Sequence, residues 1–174
     1  ASDVYKRQAK GAIFNTEELI EVDRKMVEFL KKRASQSKLL RFRLCLHHSP
    51  ESAVQEMIIA ACRDNYSRPH RHPGRSMTYQ MIEGELTVFL FDQRGNVTRK
   101  IEMGPPSSGK SFCFRLSSGG WYMPVVRSEV AVYQETLSGP NQDGQATEYA
   151  DWSPEENDTE GIAAFLRKLM GQKM

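Results

Sequence analysis

Between Arg41 and Thr136 the chain alternates short apolar or period-two stretches with clusters of Gly, Pro, Ser and Asn. That rhythm limits the fold more than any other feature, because side chains that alternate every second residue fit a pleated strand and not a helix. Arg41-Phe42-Arg43-Leu44-Cys45-Leu46-His47-His48 sets Arg41, Arg43, Cys45 and His47 on one face and Phe42, Leu44, Leu46 and His48 on the other. Val54 to Cys62 reads as a second strand. Thr78 to Ile82 and Leu86 to Phe91 flank a Glu83-Gly84-Glu85 turn, and Asp92 to Asn96 closes a hairpin. Val97 to Met103, Ser111 to Leu116, Trp121 to Val126 and Glu129 to Thr136 complete about eight strands, the pattern of an all-β sandwich or small barrel.

Helical periodicity brackets this core. Asn15 and Glu18 have capping-box spacing, and apolar residues from Leu19 to Leu30 recur at three- and four-residue intervals up to about Arg33. At the other end, Ser153-Pro154-Glu155-Glu156 resembles a helix start, and Ile162, Phe165, Leu166 and Leu169 form an apolar face. The expected organisation is therefore one domain: a tail over 1–10, an N-terminal helical segment over 11–38, a barrel over 39–140 and a C-terminal extension with a helix over 141–174. Asp3-Val4-Tyr5-Lys6-Arg7-Gln8 resembles a translated sequencing adapter as well as a native tail, so residues 1–10 are expected to add nothing to the fold.

Composition excludes several functions. Lys and Arg number 24 against 22 Asp and Glu, spread along the chain, so no basic stripe for nucleic acid stands out. Met57 to Ala61 is among the longest apolar runs, far too short for a membrane-spanning helix. Cys45, Cys62 and Cys113 are odd in number and form no CxxC pair, which excludes a cysteine-built zinc site and fits reduced thiols in the cytoplasm. Gly104 to Ser111 has the GxxxxGKS count of a phosphate-binding loop, but Pro105 and Pro106 remove amide donors and a strand pattern follows, so it reads as a hairpin loop.

The chemistry concentrates at Pro69-His70-Arg71-His72-Pro73. Period-two geometry puts both imidazoles on one side, about 7 Å apart along the strand, a spacing that suits two ligands of one metal ion. A surface pair satisfies the same spacing. Arginines gather nearby: Arg68, Arg71 and Arg75 around the histidines, and Arg41 and Arg43 on the face of His47. Facing inward, such guanidiniums would hold a phosphate or carboxylate; facing outward, they would be solvated on an edge strand. Tyr79 joins Arg41, Arg43, His47 and Arg71 as a candidate substrate contact.

These blocks together resemble a known family. The Arg41–His47 strand, Arg68 to Pro73, Ile82-Glu83-Gly84-Glu85 leading to Phe91-Asp92, Gly139-Pro140 and Tyr149 to Glu156 occur in the order seen in cupins, and are most similar to the WbuC-type cupin metalloproteins. The resemblance implies a jelly-roll barrel, genes in bacterial surface-polysaccharide (O-antigen) clusters, and a metal held by histidines and a glutamate. Two of those ligand places differ here: Met77 stands where the glutamate belongs and Tyr122 where the third histidine belongs. The implied metal set is then His70, His72, Met77 and Tyr122. Zn, Fe, Ni or Cu are the candidates, the thioether being a poor ligand for hard divalent metals and a fair one for Cu(I), and an unmetallated pocket is the other outcome.

Three functions follow as expectations. One is a non-catalytic domain binding a small anionic molecule, such as a sugar nucleotide or other polysaccharide precursor, over a degenerate metal site. Another is a sugar-nucleotide isomerase or epimerase with His70 or His72 as base and Tyr122 as acid. The last is a metal-dependent enzyme on His70 and His72. Exposed sheet edges in such folds favour a homodimer.

Overall fold

The computed structural model describes residues 7–9, 11–117, 119–140 and 147–171. It contains twelve strands and two α-helices: β1 (Arg7–Ala9), β2 (Ala12–Phe14), α1 (Arg24–Gln36), β3 (Arg41–Cys45), β4 (Val54–Cys62), β5 (His70–Arg71), β6 (Met77–Glu83), β7 (Leu86–Phe91), β8 (Val97–Met103), β9 (Cys113–Leu116), β10 (Trp121–Val126), β11 (Val130–Ser138), β12 (Glu148–Tyr149) and α2 (Thr159–Gly171). One sheet runs β1-β2-β3-β4-β11-β6-β9 and the other β12-β5-β10-β7-β8. All pairings are antiparallel except β2 with β3. Among the described residues no strand pair joins the two sheets, so the barrel expected from the sequence is an open two-sheet sandwich.

The core explains why several strands are apolar on both faces. Between the sheets lie Met57, Ile59, Tyr79, Met81, Leu86, Val88, Tyr122 and Tyr133. On the outer face of the larger sheet, Phe42, Leu44, Ile58, Ala60 and Val132 pack under Val27, Leu30 and Ala34 of α1. On the outer face of the smaller sheet, Phe89, Phe91, Trp121 and Met123 pack against Leu169 and Phe165 of α2 and against Ala150. Each sheet is thus covered on both sides, which is why β4 and β7 read as near-continuous apolar runs.

Both helices start later than the sequence pattern suggests. The Asp23 carboxylate accepts the Met26 amide at 2.9 Å and caps α1, so residues 15–23 precede the helix. Asn15 instead is buried at the end of β2. Its side-chain oxygen accepts the Glu17 amide at 2.8 Å and its nitrogen donates to the Leu46 carbonyl at 3.1 Å. The Asp158 carboxylate caps α2 by accepting the Gly161 amide at 2.9 Å. Ser153, expected as the cap, is buried and donates to the Ala150 carbonyl at 2.7 Å. Of the stretch 1–10 read as a tail, Arg7–Ala9 pair with β2, and residues 1–6 and 10 lie outside the described residues. The Pro105–Ser111 stretch holds one 3-10 turn, Pro106–Ser108, and carries the chain from β8 in one sheet to β9 in the other, so it is a connection between the sheets and not the hairpin loop expected.

Candidate functional site

A cavity of about 240 Å³ opens between the sheets at the β5 end. Strand β3 supplies Arg41, Arg43 and Cys45, with His47 just beyond it, because its alternation sends Phe42 and Leu44 the other way, under α1. Tyr79 of β6 and Tyr133 and Glu135 of β11 form the floor. His70, His72 and Arg75 come from the segment around β5, and Thr147, Tyr149 and Glu156 stand at the mouth.

Strand β5 is only two residues long, but both its edges are paired: His70 lies opposite Tyr122 of β10 and Tyr149 of β12. That pairing turns His70 inward and Arg71 outward. The His70 ring sits 4.4 Å from the Tyr122 ring and 5.4 Å from the His72 ring. His70 Nδ1 is 2.7 Å from the Arg68 carbonyl oxygen, which can only accept, so Nδ1 carries the proton and Nε2 keeps its lone pair. His72 belongs to a chain of polar contacts. Its Nδ1 is 3.3 Å from Thr147 Oγ1, its Nε2 is 3.1 Å from Tyr122 Oη, and Tyr122 Oη donates to Glu135 Oε1 at 3.3 Å. The single phenol proton is committed to Glu135, so the phenol oxygen accepts from His72 Nε2–H and Nδ1 accepts from Thr147. Every group in the chain is satisfied in that one direction.

Electrostatics follow from burial. Burial pushes His70 down to about 4, helped by Arg41 and resisted by the bond to the Arg68 carbonyl. Burial, His70 and Arg75 push His72 down to about 3. Both imidazoles are therefore neutral at physiological pH. Burial raises Glu135, while Arg43, Arg41 and the hydroxyls of Tyr122 and Tyr79 pull the other way. Burial lifts the Cys45 thiol to about 11, so it supplies no thiolate at neutral pH.

The arginines divide into two kinds. Arg75 is spent on structure, donating to the Ser138 carbonyl at 2.5 Å and to Gln55 Oε1 at 3.3 Å. Arg68 fastens the C-terminal segment, donating to Ser153 Oγ at 3.1 Å and to the Ala150 carbonyl at 3.0 Å. Arg41 and Arg43 reach into the cavity and, among the described residues, make no side-chain hydrogen bond or salt bridge. The Glu135 carboxylate meets part of their charge, and their unbonded donors leave room for a second anion.

Of the residues singled out in the sequence, Arg41, Arg43, His47, His70, His72 and Tyr79 share this cavity. Three do not line it. Arg71 faces away: it pairs with Glu148 at 2.6 Å and lies 4.5 Å over the Trp121 ring. Met77 is buried in the core between the sheets. Tyr122 lies behind the histidines, 1% exposed, and touches the cavity only through residues that line it: His70, His72, Tyr79 and Glu135. Sequence reasoning missed Glu135. The signal was present, since Ala131, Tyr133, Glu135 and Leu137 occupy alternate, inward positions of β11.

The donor set does not fit the metal site that the resemblance implies. Among the described residues no group of three or more His, Cys, Asp or Glu is placed to hold an ion. His70 Nδ1 and both His72 nitrogens are taken by hydrogen bonds, and Met77 is packed away from the histidines' cavity.

A family described as a domain of unknown function (DUF6016) matches residues 22–103. No curated protein matches the sequence. Solved structures similar to this chain include a cupin 2 conserved barrel domain protein from Rhodopseudomonas palustris, at 12% identity and TM-score 0.48 over 74% of this chain and 73% of that one. The Cnp3 cupin domain of Schizosaccharomyces pombe is 10% identical, with TM-score 0.45 over 56% of this chain and 64% of that one. Protein SO0799 from Shewanella oneidensis is 15% identical, with TM-score 0.46 over 60% of this chain and 66% of that one. The chain thus spans just under two thirds of the length of the last two. Among the described residues no helix is long and apolar enough to cross a membrane.

Proposed function

We propose that this is a cupin-type, WbuC-like domain that binds a small anionic molecule between its two sheets. The observation that carries the reading is the pair Arg41 and Arg43, which reach into the cavity with no side-chain hydrogen bond or salt bridge among the described residues and share only the charge of Glu135 on its floor. A planar fork of donors matches a carboxylate or phosphate edge on two oxygens at once. Of the two neutral imidazoles only the His70 Nε2 lone pair is left over, an acceptor for a hydroxyl of the ligand. Size sets a limit: about 240 Å³ is the share of about eight waters, enough for an anionic head group but below the roughly 300–1,000 Å³ that encloses a drug-sized ligand. The test is calorimetric titration with inorganic phosphate and with acetate. Binding that weakens at least tenfold in Arg43→Ala and again in the Arg41→Ala/Arg43→Ala pair supports the reading. Equal heats in wild type and the double variant would sink it.

A second reading rests on a different observation, the His70 lone pair beside the His72–Tyr122–Glu135 chain. His70 Nε2 would take a proton from a carbon beside a carbonyl of the bound anion, and the protonated His70 would return it to that carbon or to its neighbour, leaving the proton count of the protein unchanged. That is the proton balance of an isomerase or epimerase. Incubation of candidate sugar phosphates in deuterated water checks it. Label incorporated by wild type and lost in His70→Asn supports it, and no incorporation with a bound probe refutes it.

A further inference from the structure

The cavity does not end at its mouth. A second cleft of about 430 Å³, lined by Arg68, Tyr149, Glu155, Glu156 and Asn157, shares Arg68, Tyr149 and Glu156 with the inner cavity. The two are continuous in wall residues, and together they reach the size that encloses a ligand larger than a head group.

Their chemistry is opposite. The inner end presents guanidiniums and neutral imidazoles. The outer end presents an aromatic ring with hydrogen-bond acceptors around it, beside an Arg68 guanidinium that is already bonded to Ser153 and Ala150. Tyr149 is 49% exposed and sits at the rim, its ring 6.2 Å from that of His70 and 5.7 Å from the Arg68 guanidinium carbon. Strand pairing of β12 with β5 and the Arg68 bonds to Ala150 and Ser153 hold that ring in place. The side chains of Glu155, Glu156 and Asn157 form no hydrogen bond or ion pair among the described residues. A flat ring for C–H faces, beside carboxylates and an amide that accept hydroxyl protons, suits a polyhydroxylated ring. It does not suit a second anionic group, which the two carboxylates would repel.

We propose that the outer cleft is a sugar subsite and that the ligand is a hydroxylated ring bearing a single anionic group. The anion sits between Arg41 and Arg43, the ring lies over Tyr149, and the ring hydroxyls donate to Glu156 and its neighbours. This rests on the anion-binding reading above and narrows it, because a sugar nucleotide would place its diphosphate or base against Glu155 and Glu156. The anionic group itself has two sources, a carboxylate or a phosphate, and the probes separate them.

The experiment is calorimetric titration of the full chain with inorganic phosphate, acetate, glucose 6-phosphate, glucuronate and UDP-glucose. Glucose 6-phosphate should bind at least tenfold tighter than phosphate, or glucuronate at least tenfold tighter than acetate, and the pair with the larger gain identifies the anionic group. UDP-glucose should bind more weakly than glucose 6-phosphate. Tyr149→Ala and, separately, Glu156→Gln should remove most of the sugar's gain, read within each variant as the ratio of glucose 6-phosphate to phosphate affinity, or of glucuronate to acetate affinity. The sugar subsite is overturned if the sugar anions bind no tighter than phosphate and acetate, if UDP-glucose binds tightest, or if Tyr149→Ala weakens phosphate and glucose 6-phosphate alike. In each of those results the anion reading survives through its own dependence on Arg43. Absence of binding by every probe overturns both.

Discussion

The neutral histidine pair should make the fold sensitive to mild acid. In the unfolded chain a histidine titrates near 6.5, whereas burial holds His70 at about 4 and His72 at about 3 in the folded protein. Their contribution is complete above 6.5. As pH falls below that value the unfolded chain takes up protons that the folded protein refuses, so stability drops until the folded values are reached. One unit of difference is worth about 1.36 kcal/mol, so moving from pH 8 to pH 5 withdraws about 2 kcal/mol per histidine, about 4 kcal/mol for the pair. For a chain of this size each kcal/mol moves Tm by roughly 2–4 °C, which gives a fall of roughly 8–16 °C. Glu135 works in the opposite sense, because burial raises it and protonation at lower pH favours the fold, so it trims the fall. A double variant isolates the histidines. His70→Asn keeps a donor near the Nδ1 position that serves the Arg68 carbonyl, and His72→Gln keeps a donor near the Nε2 position that serves Tyr122. Thermal unfolding in EDTA-containing buffer from pH 8 to pH 5 should show a steep fall for wild type and a much shallower one for the variant. Parallel slopes would refute the assignment of two buried, neutral imidazoles.

Much of the site was legible because it depends on alternation, which is local. Arg41, Arg43, Cys45 and His47 share a face wherever β3 lies, and the apolar character of Phe42 and Leu44 identifies the face turned toward α1. The same rule applied to β5 sends Arg71 away from the side of His70, and Glu135 to the side of Tyr133. Both placements were within reach of the sequence; charge density around the histidines drew attention to Arg71 instead. The helix starts were a different matter. Asn15 has the residue type and spacing of a cap, but the same side chain also closes a turn on its own backbone, and its choice is settled by the Leu46 carbonyl thirty-one positions away. Ser153 is likewise decided by Arg68, eighty-five positions away. No window of sequence contains those partners. The outer cleft was hidden for the same reason, since β12 and Glu156 join the site through pairing with a strand of two residues.

The remaining predictions concern the turn that joins β6 to β7 and the metal. Gly84 sits at φ +72°, and a Cβ there would run into the Val130 carbonyl oxygen and the Ser128 hydroxyl that accepts the Glu85 amide at 2.9 Å. Gly84→Ala should therefore cost at least about 1–2 kcal/mol from the left-handed backbone alone, lowering Tm by several degrees, and an unchanged Tm would show that the turn relaxes freely. For the metal, protein purified without a histidine tag should contain well below one equivalent of Zn, Fe, Ni or Cu by elemental analysis. The reason is competition inside the site. A metal on His72 must displace either the Thr147 contact or the bond that orients Tyr122 toward Glu135, and a metal on His70 has only Nε2 to use, because Nδ1 is held by the Arg68 carbonyl. One imidazole nitrogen without a third nearby ligand is a weak site, since catalytic metals are normally held by three protein ligands. Near-stoichiometric metal that disappears in a His70→Ala/His72→Ala variant would overturn that reasoning. It would also require the hydrogen-bond chain from Thr147 to Glu135 to rearrange when the ion binds.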